Sequence, residues 1–152
     1  MHALVAITAA ELQADPSARL WALISHLAEH PESQKHPELL HFWLAYSYDA
    51  QVFNGGHLQY FHNCGTERVL ETLAALHAIG AHKHAALLAD CWSQVKREPV
   101  SRVASLEEYS SLAMERSFTV EDNAYYQEKP EVMHLLEAHY AAMLNDLVAV
   151  SA

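Results

Sequence analysis

The stretch Asp49–Asn63 reads Asp-Ala-Gln-Val-Phe-Asn-Gly-Gly-His-Leu-Gln-Tyr-Phe-His-Asn, and it places two adjacent glycines between two helical patterns. Gly55 and Gly56 are half of the four glycines in the chain. Glycine adopts positive φ without a clash at Cβ, so this pair can end one helix and turn the backbone sharply into the next. The sequence therefore predicts a corner at residues 54–56.

Polar side chains surround the predicted corner: Asp49, Asn54, Gln59 and Asn63. Asp49 falls in the last turn of the first helix, where the helix dipole disfavours a carboxylate, so we expect a local partner for it. The nearest candidates are the free N–H groups that open the next helix. Two interpretations follow for the polar set. Its members satisfy backbone groups where helices meet, or they form a small-ligand or enzymatic site.

Apolar residues recur at helical spacing along nearly the whole chain, and no strand alternation is long enough to support a sheet. Ser105 and Glu108 have the spacing of a capping box, and Thr119 is in position to cap the following helix. A length of 152 residues favours one domain with a substantial core. The sequence thus predicts an all-α fold with a single compact domain over residues 1–152 and about seven or eight helices.

A longer string around the corner resembles the signature of the DNA mimic protein family, a bacterial helical domain whose function is mostly unknown. The string is Tyr48-Asp49-x-Gln51-Val52-x-Asn54-Gly55-Gly56-x-x-Gln59-Tyr60-Phe61-x-Asn63. The likeness continues to Ile79-Gly80-Ala81 and, more loosely, to Asp122-x-x-Tyr125-Tyr126. The family name implies that at least one member presents acidic side chains in place of DNA phosphates. The resemblance implies a helical fold and a noncatalytic binding protein that engages a DNA-binding or regulatory protein.

The distribution of charge agrees with that expectation. The formal net charge is −10, which argues against nucleic acid or an anionic membrane as a direct partner. Residues 105–152 contain nine acids and only two bases, a net charge of −7. The main acidic series in this segment is Glu107, Glu108, Glu115, Glu121, Asp122, Glu128 and Glu131. We expect this series to face the basic surface of a DNA-binding protein, and a homodimer would extend it. A solvated acidic surface is the simpler interpretation.

Catalytic and metal sites receive less support from the sequence. Asp49, His57 and Cys64 supply the residue types of a nucleophilic site, but nothing in their spacing makes them converge. His26 and His30 have the i, i+4 spacing of metal ligands, but no motif supplies a third ligand. We therefore expect no catalytic residue, no metal and no cofactor.

The predicted compartment is the cytoplasm. The chain has two cysteines, Cys64 and Cys91, without a disulfide framework, and it has neither a signal peptide nor an apolar run of membrane-spanning length. These features are typical of a reducing compartment.

Overall fold

Helices make up nearly all of the regular structure. The computed structural model describes residues 2–152, and in this range the chain forms nine α-helices, one 3-10 helix and two short strands. In order these are β1 (Val5–Thr8), α1 (Ala9–Ala14), α2 (Ala18–Glu29), the 3-10 helix (Pro31–Lys35), α3 (Pro37–Cys64), α4 (Val69–Ala78), α5 (His82–Arg97), α6 (Leu106–Glu115), α7 (Thr119–Gln127), α8 (Val132–His139), α9 (Ala141–Leu147) and β2 (Val148–Ser151). The predicted all-α fold is confirmed.

Local sequence determines where α6 begins. The Ser105 hydroxyl accepts a hydrogen bond from the Glu108 N–H at 3.1 Å, and the Glu108 carboxylate accepts one from the Ser105 N–H at 3.1 Å. This reciprocal pair is the capping box that the sequence predicts. The predicted Thr119 cap is wrong, because α7 has Phe118 at its N-cap position and the Thr119 hydroxyl donates to Ser117 instead.

Buried apolar side chains from most elements form one continuous core. α2 buries Leu20, Leu23, Ile24 and Leu27, the stripe whose spacing predicts this helix. The long helix α3 packs against α4, α7 and α8. By contrast, α6 buries none of its ten residues and lies on the outside of the protein. Within residues 2–152, no helix is both long and apolar enough to cross a membrane.

A small parallel sheet joins the two ends of the described chain. Val5 pairs with Val148 and Ile7 with Val150, so that β1 and β2 form a two-stranded sheet. The sequence predicts no sheet, and that expectation is wrong for these two segments. Each strand has only four residues, which is too short for a period-two pattern to be recognised. Their pairing depends on contacts between distant parts of the chain.

Candidate functional site

The predicted corner is a break within α3. Gly55 has φ −163° and ψ 26°, and Gly56 has φ 73° and ψ −176°, so the helical geometry is interrupted at both residues. Only Gly56 has the positive φ that favours glycine, because the φ of Gly55 is extended backbone that any residue adopts. A Cβ atom at Gly56 would lie 2.3 Å from Oδ2 of Asp122. The corner therefore needs glycine at position 56 both for its backbone and for the close approach of α7.

Asp122 caps the second half of α3. Its Oδ1 accepts a hydrogen bond from the His57 N–H at 2.9 Å and lies 2.6 Å from His57 Nδ1. The other ring nitrogen, Nε2, lies 2.8 Å from the Tyr48 hydroxyl. His57 and Tyr48 are fully buried, and the Asp122 side chain is 19% exposed. The three side chains form one hydrogen-bonded chain from α7 into the core.

This arrangement corrects the expectation for Asp49. The N–H that opens the second half of α3 is capped by Asp122, which comes from a distant helix, and not by Asp49. Asp49 is buried, and its Oδ1 accepts a hydrogen bond of 2.5 Å from the Tyr125 hydroxyl. Burial raises the pKa of Asp49 from 3.8 to about 6, although the Tyr125 hydrogen bond opposes that rise. Asp49 therefore has a hydrogen-bond partner, but the expectation of a local one is wrong, because Tyr125 is 76 residues away in the chain.

The carboxamides near the corner form hydrogen bonds with one another. Gln51 Oε1 accepts from Gln59 Nε2 at 3.0 Å and from Asn63 Nδ2 at 2.8 Å. Asn54 is exposed at the rim of a shallow groove of about 400 Å³, which Gln59, Asn63 and Tyr109 also line. The Gln59 and Asn63 amides therefore bond to another side chain and not to the backbone groups that the structural interpretation expects, and this pairing leaves fewer free donors for a ligand.

Asp49, His57 and Cys64 do not share hydrogen bonds in this structure. Asp122 and Tyr48 occupy both ring nitrogens of His57, so neither nitrogen is left to take a proton from Cys64. Burial raises the pKa of the Cys64 thiol, which keeps it in the poorly nucleophilic protonated form.

His26 and His30, the pair with the spacing of metal ligands, contact each other and Glu32. His26 and His30 stack with ring centroids 4.5 Å apart, and His30 Nδ1 lies 3.3 Å from Glu32. Within residues 2–152, no group of three or more His, Cys, Asp or Glu side chains has the placement of a metal site.

Two of the seven predicted surface acids carry unpaired charges. The seven lie on α6, on α7 and on the connection from α7 to α8: Glu107, Glu108, Glu115, Glu121, Asp122, Glu128 and Glu131. Glu107 and Glu115 are exposed, and no side-chain hydrogen bond or ion pair involves them in the described range 2–152. Hydrogen bonds from the Ser105 and Ala104 N–H groups lower the pKa of Glu108, which therefore also stays ionised. These three acids make α6 the most strongly acidic helix of the set.

The other acids of the set have partners. Glu128 lies 3.1 Å from Lys83 Nζ, and Glu131 pairs with Lys129. Glu121 Oε1 accepts from Gln94 Nε2 at 2.6 Å. The two lysines offset part of the negative charge at the end of α7, and Arg116 at the C-cap of α6 offsets part of the charge of that helix.

Sequence reasoning did not assign roles to His57, Tyr48 and Tyr125, although all three lie in or near the family string. The signal for His57 was its place directly after Gly56, where a helix begins and its N–H needs an acceptor. The signal for Asp122 and Tyr125 was their spacing of three, which puts both on one face of α7.

A family model described as DMP19-like protein matches residues 33–143, which is most of the chain and includes the corner, α6 and α7. Comparison with the curated proteins and with the solved structures gives no significant match.

Proposed function

This chain belongs to the DMP19-like family, and from that membership we propose that it is a noncatalytic acidic protein that binds the basic surface of a DNA-binding or regulatory protein in place of DNA. The family is not a known enzyme family. The proposed contact surface is centred on α6 and includes Glu121 at the beginning of α7, whereas Asp122 is only 19% exposed and is hydrogen-bonded to His57.

The exposed surface of α6 is the observation that carries this proposal. Glu107 and Glu115 point their charges into solvent without a partner in residues 2–152. On the same helix Leu106 is 82% exposed and Met114 is 89% exposed. Single exposed apolar side chains are normal on protein surfaces, so these two support the proposal only together with the charges of the same helix. α6 therefore combines the charge that attracts a basic partner with apolar groups that can be buried against it.

Electrostatics explains why the acids must act as a set. A single exposed carboxylate contributes about 0–1 kcal/mol to an ion pair, which is too little to choose a partner. Several carboxylates on one helix create a field that steers a basic surface and orients it on approach. Duplex DNA has one charge per roughly 1.7 Å of its axis, so a DNA-binding surface already carries the complementary array of lysines and arginines.

The experiment compares two charge-reversed double variants with the same net charge. Glu107→Lys with Glu115→Lys changes α6, and Glu29→Lys with Glu98→Lys changes exposed acids in the first 104 residues; each raises the formal net charge from −10 to −6. Immobilised wild-type protein first retains its partner from an extract of the source cells at low salt. Each variant then competes with labelled duplex DNA for that purified partner.

We expect the wild type and the Glu29/Glu98 variant to displace DNA, with an effect that decreases as salt rises because screening weakens the field. The Glu107/Glu115 variant should lose most of this activity. Equal losses in both variants would mean that total charge matters and the α6 surface does not. Failure to recover any DNA-binding protein at any ionic strength would remove the DNA-mimic proposal.

A ligand site at the corner is the alternative function. Most polar side chains of the corner are hydrogen-bonded within the protein. Gln51 accepts hydrogen bonds from Gln59 and Asn63, and Asp122 accepts one from His57. The remaining groove is shallow, and Asn54 is the one carboxamide of the corner set without a side-chain hydrogen bond in the described range 2–152. These contacts favour the binding-protein proposal.

A further inference from the structure

A second cleft lies away from the acids of the proposed contact surface. It has a volume of about 640 Å³, within the usual range for small-molecule sites. The beginning of α3, the end of α4 and the junction of α8 with α9 form its walls. The side chains that matter below are Glu38, His41, Tyr140, Met143, Asp146 and Leu147.

Two carboxylates line this cleft without compensation. Glu38 and Asp146 are exposed, and neither takes part in a side-chain hydrogen bond or ion pair within residues 2–152. The lining contains no lysine or arginine, but it contains two histidines, His41 and His139. Helix ends also face the cleft, but N-termini of α3 and α9 and C-termini of α4 and α8 meet there, so their partial charges oppose one another. With histidine counted as neutral, as in the formal net charge, the two carboxylates make the lining negative.

Tyr140 provides an independent indication of a ligand. This residue is only 8% exposed, and its hydroxyl has no hydrogen-bond partner in residues 2–152. No fully buried side-chain oxygen or nitrogen in that range lacks a partner. The Tyr140 hydroxyl therefore keeps contact with solvent, and Tyr140 lines the cleft. Burial and the nearby charge of Glu38 raise the pKa of Tyr140.

We propose that this cleft binds a small organic cation, a guanidinium or alkylammonium group with an apolar stem. The cationic head would donate hydrogen bonds to Glu38, Asp146 and the Tyr140 hydroxyl, since charge-assisted bonds to carboxylates are the stronger kind. The stem would lie against Met143 and Leu147. None of the seven acids that the sequence analysis predicts as a surface lines the cleft, so this inference does not depend on the proposed function.

Such a cation has two sources, a free diamine or an arginine side chain of another protein. The probe is n-butylguanidinium, and the matched control is n-butylurea, which has nearly the same shape but no charge. Titrations are followed by amide chemical-shift changes of the full-length protein. Putrescine and a blocked Gly-Arg-Gly peptide are titrated in parallel, and the tighter binder of the two identifies the source.

We expect n-butylguanidinium to shift the amides around residues 38–41 and 140–147, and n-butylurea to have much weaker effects. Asp146→Asn should weaken binding about three- to fivefold, as expected for a partly exposed ion pair, and Glu38→Gln should do the same. Asp90→Asn is the control, because Asp90 is also exposed on a helix and does not line the cleft. Tyr140→Phe should weaken binding without changing the fold.

The proposal is overturned if the neutral urea binds as tightly as the cation, or if Asp90→Asn weakens binding as much as Asp146→Asn. It is also overturned if neither charged probe shifts the cleft amides at low salt. If one cleft variant fails to fold, the other carboxylate variant gives the same comparison.

Discussion

Substitution of Gly56 by alanine should destabilise this protein more than substitution of Gly80, one of the two other glycines with positive φ. Gly56 has φ 73° and ψ −176°, a region that is essentially restricted to glycine. The new Cβ would lie 2.3 Å from Asp122 Oδ2, so the carboxylate that caps His57 would have to move away. Gly80 has φ 81°, but a Cβ there meets no heavy atom within 4 Å. Gly80→Ala therefore isolates the cost of the backbone conformation.

The backbone cost at position 56 is about 1–3 kcal/mol. Loss of the cap on the His57 N–H adds about 1 kcal/mol, and loss of the hydrogen bond from the His57 ring to a charged group adds about 1.5–3 kcal/mol. We expect a total of about 3.5–7 kcal/mol for Gly56→Ala, against about 1–2 kcal/mol for Gly80→Ala. Gly55→Ala should cost about 1 kcal/mol, because its φ of −163° suits alanine and the Gln59 side chain can move.

Urea unfolding of the three variants measures these free energies. For a chain of this length, Gly56→Ala should also lower the melting temperature by about 10 °C or more. A double-mutant cycle with Asp122→Ala should show strong non-additivity, because Gly56→Ala already displaces that carboxylate. If Gly56→Ala costs no more than Gly80→Ala, or if the cycle is additive, the close approach of α7 to the corner does not contribute to stability.

Two further predictions concern buried or half-buried groups. The folded pKa of Asp49, about 6, lies above its unfolded value, so the stability that its neutral form provides is present below about pH 4 and lost as pH rises through 6. Asp49→Asn should therefore gain up to about 3 kcal/mol relative to wild type between pH 4 and pH 7 in urea unfolding, and a constant difference would refute this. Cys64→Ala should leave the melting temperature and partner binding unchanged, and so should dialysis of the wild type against a chelator. Zinc that stays bound in stoichiometric amount through tag-free purification would contradict the expectation that no metal is needed.

The sequence predicts those parts of the fold that depend on neighbouring residues. The Leu20–Leu27 stripe, the Ser105–Glu108 capping box and the break at Gly55–Gly56 each arise within a few residues of the chain. Helix periodicity and capping act over one or two turns, so a single sequence contains the necessary information.

Most features that the sequence did not predict depend on distant contacts, and the Thr119 cap is the local exception. β1 and β2 are more than 140 residues apart, and their pairing leaves no local pattern. Asp122 lies 65 residues from the His57 N–H that it caps. The helix dipole predicts that Asp49 has a partner, but Tyr125, which lies 76 residues away, could not be identified as that partner.

Helix α7 links the corner in α3 to the acidic helix α6 in this structure. Three side chains of α7 bind α3 on either side of the break: Asp122 caps His57, the Tyr125 hydroxyl donates to Asp49, and the Tyr126 hydroxyl donates to the Val52 carbonyl at 2.8 Å. α6 buries no residue of its own and is connected to α7 by three residues, so the position of α7 limits where α6 can lie. On the proposed function, the residues of the family string therefore act on partner binding through position, because they hold the acidic helices in place and need not touch the partner.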